Sequence, residues 1–128
     1  MIVAVSFRSA VPIYQQIRDQ VVEGIAFGLL ADGESLPSTR QLAADLAVNF
    51  HTVNKAYDLL RQEGFIQLSR KHGAVVTAAA DTTQPVPVSA DWSARLRTLL
   101  AEGRARGMSS AAVIEACRQA LELPEESA

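Results

Sequence analysis

Two short amphipathic stretches, residues 38–46 and 49–63, follow one another with only Ala47 and Val48 between them. In each stretch the apolar residues recur at the three- and four-residue spacing of one helix face. They are Leu42, Ala43 and Leu46 in the first stretch, then Val53, Ala56, Tyr57 and Leu60 in the second. A connection of about three or four residues between helices is typical of a helix-turn-helix, and the spacing predicts that motif.

Capping residues mark the ends of these predicted helices. Ser38 stands before the first helix and Gln41 follows three residues later, which is the pattern of a capping box. Asn49 can cap the second helix, and Gly64 is a typical stop after Glu63. An earlier apolar stripe at four-residue steps, with a proline near its first turn, predicts another helix over about 12–30.

The hydrophobic period changes to that of strands after the second helix. Residues 65–69 and 74–77 are short strand-like runs joined by the basic sequence "RKHG", so they predict a hairpin. A hairpin in this position is a wing. The expected fold class is therefore α+β and mostly helical, with a winged helix-turn-helix over residues 1–79.

The remaining residues predict a linker and a helical tail. Residues 80–90 are small and polar with two prolines, which favours a semi-extended linker. Residues 91–128 contain two short amphipathic helices, the first with Asp91 as a candidate cap, and two such helices cannot form an independent domain. A second copy of the chain is the economical partner for their apolar faces. The expected dimer interface comprises Trp92, Leu96, Leu99, Leu100, Val113, Cys117 and Leu121.

Composition excludes several classes of protein. No apolar run approaches the length of about 18–20 residues that crosses a bilayer, and the first residues lack the features of a signal peptide, so we expect a cytoplasmic protein with no membrane partner. Cys117 is the only cysteine, which rules out an internal disulfide. His51, His72 and Cys117 have no metal-ligand or catalytic-triad spacing. We therefore expect no enzyme activity, no metal and no cofactor.

The outer face of the second predicted helix is polar but weakly charged. Asn49, His51, Thr52, Asn54 and Lys55 carry one full charge among them, whereas a merely solvated helix face more often carries Glu, Lys and Arg. The chain has a net charge of −2, yet residues 36–80 contain five Lys or Arg and three Asp or Glu, a local balance of +2. This balance permits contact with phosphates.

The sequence "SLPSTRQLAADLAVNFHTVNKAYDLLRQEGFI", followed by "HGAVV", resembles the winged helix-turn-helix of GntR-family bacterial transcription regulators. The short helical tail resembles the YtrA-like branch of that family. The resemblance implies a homodimer, joined by its tails, on a palindromic operator in double-stranded DNA. It also implies DNA contacts by Ser38, Arg40, Asn49, Thr52, His72 and Gly73. Phe50, His51 and Asn54 depart from common family residues, so no operator sequence is carried over.

Two residues among the candidates, Arg40 and Phe50, have alternative interpretations. Arg40 can bond guanine O6 and N7 through its planar fork, or it can be solvated or paired with Asp45. Phe50 can touch a thymine methyl group or pack inward, which we favour. The full set expected to meet DNA comprises Ser38, Thr39, Arg40, Asn49, Phe50, His51, Thr52, Asn54, Lys55, Arg70, Lys71, His72 and Gly73.

The function predicted from these residues is sequence-specific DNA binding by a transcriptional regulator, with repression through blocked polymerase access as the expected mode. The alternative is a winged-helix module that binds proteins and not DNA, which the near-neutral first domain keeps open. The sequence also leaves open whether a small-molecule effector exists, which would have to bind between the tail and the winged helix or at the dimer seam.

Overall fold

A computed structural model describes residues 3–77 and 89–122 of the chain. The chain divides into two compact units, Met1–Gln84 and Pro85–Ala128. The described residues of the first unit form three helices and an antiparallel hairpin, as a winged helix-turn-helix requires: α1 Ile13–Ala26, α2 Thr39–Leu46, α3 Phe50–Gln62, β1 Ile66–Ser69 and β2 Gly73–Val76. The predicted fold class is confirmed. Most of the predicted linker, 80–90, lies outside the described residues.

The core of the first unit lies where α1, α2 and α3 meet. Ile17 and Val21 of α1 are fully buried, as are Val53 and Leu60 of α3. Tyr57 of α3 is 5% exposed. The apolar stripes predicted for these helices therefore face one another. Because one face of α3 is held in this core, its opposite face is free to meet a ligand.

Helix α1 ends at Ala26, four residues before the predicted end at Leu30. Gly28 has a φ of +76°, which a glycine adopts without strain, and it turns the chain out of the helix. The N–H groups of Leu29 and Leu30 then donate to the carbonyl oxygen of Gly24 at 2.8 and 3.0 Å. Leu30 is consequently buried against Gly24 rather than carried on the helix. The sequence prediction missed Gly28 as a helix stop.

A third extended segment joins the wing. Strands β1 and β2 pair from Ile66 with Val76 to Ser69 with Gly73. Residues 33–36 lie along the other edge of β2, where the Leu36 N–H donates to the Ala74 carbonyl at 2.8 Å. The Val76 N–H donates to the carbonyl oxygen of Glu34 at 2.9 Å. This pairing, which the sequence did not predict, connects the segment before α2 to the wing.

The second unit contains α4 (Ala90–Ala105) and α5 (Ser110–Ala120) among the residues described. Ser89, not Asp91, caps α4, because its hydroxyl accepts the Trp92 N–H at 3.0 Å. Asp91 lies within the first turn and pairs with Arg95. Neither helix has a buried residue. These helices therefore leave most of their apolar surface exposed.

Candidate nucleic-acid interface

The two helices of the motif begin with side-chain caps. The Ser38 hydroxyl accepts the N–H of Gln41 at 3.1 Å, and the Asn49 side-chain oxygen accepts the N–H of His51 at 2.8 Å. Both predicted N-caps are confirmed. The reciprocal bond of a capping box does not form within residues 3–77, since the Gln41 amide donates to Asp45 instead. The two caps hold the helix N-termini and leave both capping residues exposed.

A tight turn sets the distance between those N-termini. Ala47 has φ 55° and ψ 44°, a left-handed conformation that is uncommon for a residue with a Cβ atom. The N–H of Val48 then returns to the carbonyl oxygen of Ala43 at 3.0 Å. As a result three residues, 47–49, connect α2 to α3.

Arg40 projects from the first turn of α2 with its hydrogen-bonding edge free. Its side chain is exposed, and within residues 3–77 and 89–122 it makes no hydrogen bond or ion pair. Asp45, the predicted alternative partner, accepts from Gln41 at 2.8 Å. The guanidinium carbon lies 5.1 Å from the centre of the Phe50 ring. Within the described residues Arg40 is therefore available to a pair of coplanar acceptors.

Phe50 is half-buried and packs against the core of the first unit. This agrees with the inward packing that the sequence favoured. Part of the ring nevertheless remains at the surface, where it contacts Arg40 and the His51 ring, whose centre lies 5.2 Å away. Phe50 thus joins the core to two candidate DNA-contacting residues.

The face of α3 opposite the core carries His51, Lys55, Asp58 and Gln62, all exposed. The Lys55 ammonium lies 4.2 Å from the centre of the Tyr14 ring, so α1 supports it from one side.

Thr52 and Asn54 are half-buried at the borders of this face, and Thr39 is half-buried at the start of α2. Asp58 is paired with Arg61 at 3.4 Å. The face offers amide, hydroxyl, imidazole and ammonium groups, and their contact with DNA stays a prediction.

The wing tip presents its basic residues to solvent. Arg70, Lys71 and His72 are exposed, and Gly73 turns the chain with a φ of +67°. The Ser69 hydroxyl accepts the N–H groups of Lys71 and His72, both at 3.3 Å, which orders the turn. The predicted wing is confirmed, whereas its contact with DNA stays a prediction.

Tyr57 has a role that the sequence analysis missed. We predicted it as a core residue, and it is buried, but its hydroxyl also donates to the Pro37 carbonyl oxygen at 2.7 Å. This bond holds the residue before the α2 cap against α3. Burial raises the pKa of Tyr57 well above its usual range. The available signal was the tyrosine itself, since a buried phenol needs a hydrogen-bond partner.

Replacing Tyr57 with phenylalanine is expected to lower the free energy of unfolding at neutral pH by about 0.5–1.5 kcal/mol, the usual worth of one hydrogen bond. Because the folded-state pKa is raised, the neutral phenol stabilises the fold below about pH 10, and this contribution decreases as the pH rises further. Urea unfolding of both proteins at neutral pH and near pH 10.5 measures the effect, and the wild-type advantage should shrink at the higher pH.

Tyr14→Phe is the matched control for this substitution. Tyr14 is the other tyrosine of the chain, and its hydroxyl makes no hydrogen bond in the part of the chain that the structure describes. The ring that supports Lys55 is kept. Equal unfolding free energies for Tyr57→Phe and the wild type at neutral pH would contradict the role of the Pro37 bond.

No group of three or more His, Cys, Asp or Glu residues is placed to hold a metal ion within residues 3–77 and 89–122. No described helix has the length and apolar character needed to span a membrane.

Comparison with known proteins identifies relatives of this site. Residues 13–76 match the family of bacterial regulatory proteins called gntR. Over 76 residues the chain is 42% identical to the HTH-type transcriptional repressor YtrA of Bacillus subtilis, covering 59% of this chain and 58% of that repressor. Over 122 residues it is 26% identical to an HTH-type transcriptional regulator of Mycobacterium tuberculosis, covering 95% of this chain and 93% of that protein.

A solved structure extends the similarity beyond the winged domain. The structure of YtrA from Sulfolobus acidocaldarius, a GntR-family transcription factor, superposes with a TM-score of 0.63 at 40% sequence identity. The match covers 82% of this chain and 99% of that one. The similarity therefore reaches past the 64 residues of the family match, which end at Val76.

Proposed function

The chain belongs to the GntR family of bacterial regulatory proteins, and on that premise we propose that it binds an operator in double-stranded DNA as a homodimer and represses transcription. The winged helix-turn-helix of its first unit is the DNA-binding fold of such regulators. Operator binding that blocks polymerase is the mode we favour, because one relative is a transcriptional repressor. A DNA partner also implies a cytoplasmic location.

The proposal rests on Arg40, whose N–H donors have no partner within residues 3–77 and 89–122. An arginine that pairs with no described acid, placed at the N-terminal end of the helix pair, can offer two parallel N–H donors to guanine. Helix α3 has 13 residues and is about 20 Å long, which fits a major groove. Its outward groups suit base edges and phosphate oxygens together.

The apolar surface of the second unit supports the homodimer. Trp92 is 44% exposed, Leu96 37% and Leu99 63%. Leu121 is 79% exposed, whereas Leu100, Val113 and Cys117 are half-buried.

Val113 packs close to Gly103, so it contributes to the contact between α4 and α5. Ile114, which was not among the predicted interface residues, is 68% exposed and extends the candidate surface. A two-fold dimer would bring two copies of α3 to a palindromic site.

The alternative function, a protein-binding winged helix without DNA, has less support. The relatives with 42% and 40% identity are a transcriptional repressor and a transcription factor. A module without DNA binding also gives no reason for an arginine that pairs with no acid of the described residues, beside a weakly charged polar helix face.

Selection of genomic fragments tests the proposed function. The purified full chain is mixed with fragmented DNA of the source genome at moderate salt, with excess non-specific competitor, and the retained fragments are sequenced. We expect a small set of fragments that share an inverted repeat, because specific contacts survive salt better than phosphate contacts alone. Retention without any shared motif, lost as salt rises, would contradict sequence-specific binding.

A further inference from the structure

Phe50 links the first turn of α3 to the first turn of α2 through its contact with Arg40. It is the first residue of α3, and its half-buried ring packs against the hydrophobic core. The Arg40 guanidinium, which belongs to α2, lies 5.1 Å from the centre of this ring. We propose that Phe50 is a positioning residue for base recognition, because it holds the guanidinium plane of Arg40 ready to bond guanine. The inference rests on the proposed function.

The geometry of a cation–π contact explains how one ring can hold Arg40 without blocking it. The guanidinium carbon of Arg40 lies 5.1 Å from the ring centre, and none of its five N–H donors makes a hydrogen bond within residues 3–77 and 89–122. Contact with Phe50 therefore restricts the side chain and leaves its fork free. Because the core holds the ring from below, the ring itself has little freedom to lose when DNA binds.

The other cation–π contacts in the described residues differ from this one. Arg18 lies 5.6 Å from the Phe65 ring, but its fork is occupied by Glu63 through bonds of 2.9 and 2.8 Å. Lys55 lies over Tyr14, but an ammonium has no planar fork. Only Arg40, among the cations of residues 3–77 and 89–122 that lie over a ring, keeps a bidentate donor pair free.

His51 provides a second contact on the same ring. Its ring centre lies 5.2 Å from that of Phe50, with an angle of 57° between the planes, which is a favourable tilted arrangement. A single aromatic ring thus touches two residues that are expected to meet DNA. Direct contact of Phe50 with a thymine methyl group is the competing interpretation, and the experiment separates the two.

The experiment compares base preferences after selection from random duplexes. The full-length wild type defines the motif, and Arg40→Ala identifies the position at which guanine preference depends on Arg40. Phe50→Leu and Phe50→Met remove the aromatic face, whereas Phe50→Tyr retains it. We expect the first two variants to lower guanine preference at that position about two- to fivefold, the worth of an exposed cation–π contact, and Phe50→Tyr to preserve it. Circular dichroism checks that each variant is folded.

Tyr14→Leu is the matched control, because it removes the aromatic support of Lys55 and leaves Phe50 in place. It should not change guanine preference at the Arg40 position.

Four results would overturn the inference while leaving the proposed function intact. The first is full guanine preference in the folded Phe50→Leu or Phe50→Met variant. The second and third are that these variants lose preference only at a thymine position, or lose affinity equally for all sequences. The fourth is that Arg40→Ala selects a motif in which no guanine preference has changed. A wild type that enriches no motif would instead overturn the proposed function, and the inference with it.

Discussion

Replacing Arg40 with alanine is expected to weaken binding to the operator by about 1–3 kcal/mol and to reduce non-specific binding much less. The reason is that Arg40 is exposed and unpaired within the described residues, and its fork can match two acceptors of guanine. Loss of one positive charge would weaken every sequence slightly, whereas loss of the fork affects the operator alone. Titration of operator and scrambled duplexes at the same salt concentration measures both effects.

Two variants separate charge from shape in this experiment. Arg40→Lys keeps the positive charge but lacks the planar fork, so it should lose most of the discrimination as well. Lys55→Ala should weaken all sequences alike and lower the salt slope by about one, because we expect Lys55 to meet a phosphate. If Arg40→Ala weakened operator and scrambled DNA equally, the base-reading role would be wrong.

The combined substitution of Trp92 and Leu96 with aspartate is expected to dissociate the proposed homodimer. Both side chains are exposed on α4, and an unpaired charge buried in an apolar interface costs about 3–5 kcal/mol, which raises the dissociation constant more than about a hundredfold. Sedimentation of the wild type and the variant over a concentration series measures this. Operator affinity should decrease together with the dimer, because two half-sites would no longer be bound by one molecule.

Ala101→Asp is the matched control for the tail. Ala101 is exposed, and helical spacing places it on the side of α4 opposite Trp92 and Leu96. This variant should remain dimeric at concentrations where the double variant is monomeric. A double variant that stays dimeric would place the interface elsewhere on the chain.

Several elements of the fold could be predicted from the sequence because their signals are local. The apolar stripe of α3 lies within a single helix, and burial of Val53 and Leu60 confirms it. Gly64, with a φ of +86°, follows α3 as a glycine at that position should. Ser38 and Asn49 cap their helices because each bond spans two or three residues.

The wrong predictions concern choices that local patterns leave open. The stripe of α1 continued to Leu30 in sequence, but Gly28 ended the helix early and Leu30 packed back on Gly24. Ser89 rather than Asp91 caps α4, since either residue has a suitable side chain. The segment 33–36 is too short to show a strand period, and only its pairing with β2 makes it extended.

By itself the sequence determined the order of the helices and wing, the buried face of each helix of the winged domain, and the polar face that is expected to meet DNA. Those properties follow from spacing along one element. Only the tertiary structure decided that Arg40 lies over Phe50 and not beside Asp45, and that Tyr57 bonds Pro37. Each of these contacts joins residues in different elements, so it depends on the angle at which the helices cross, and no local pattern encodes that angle.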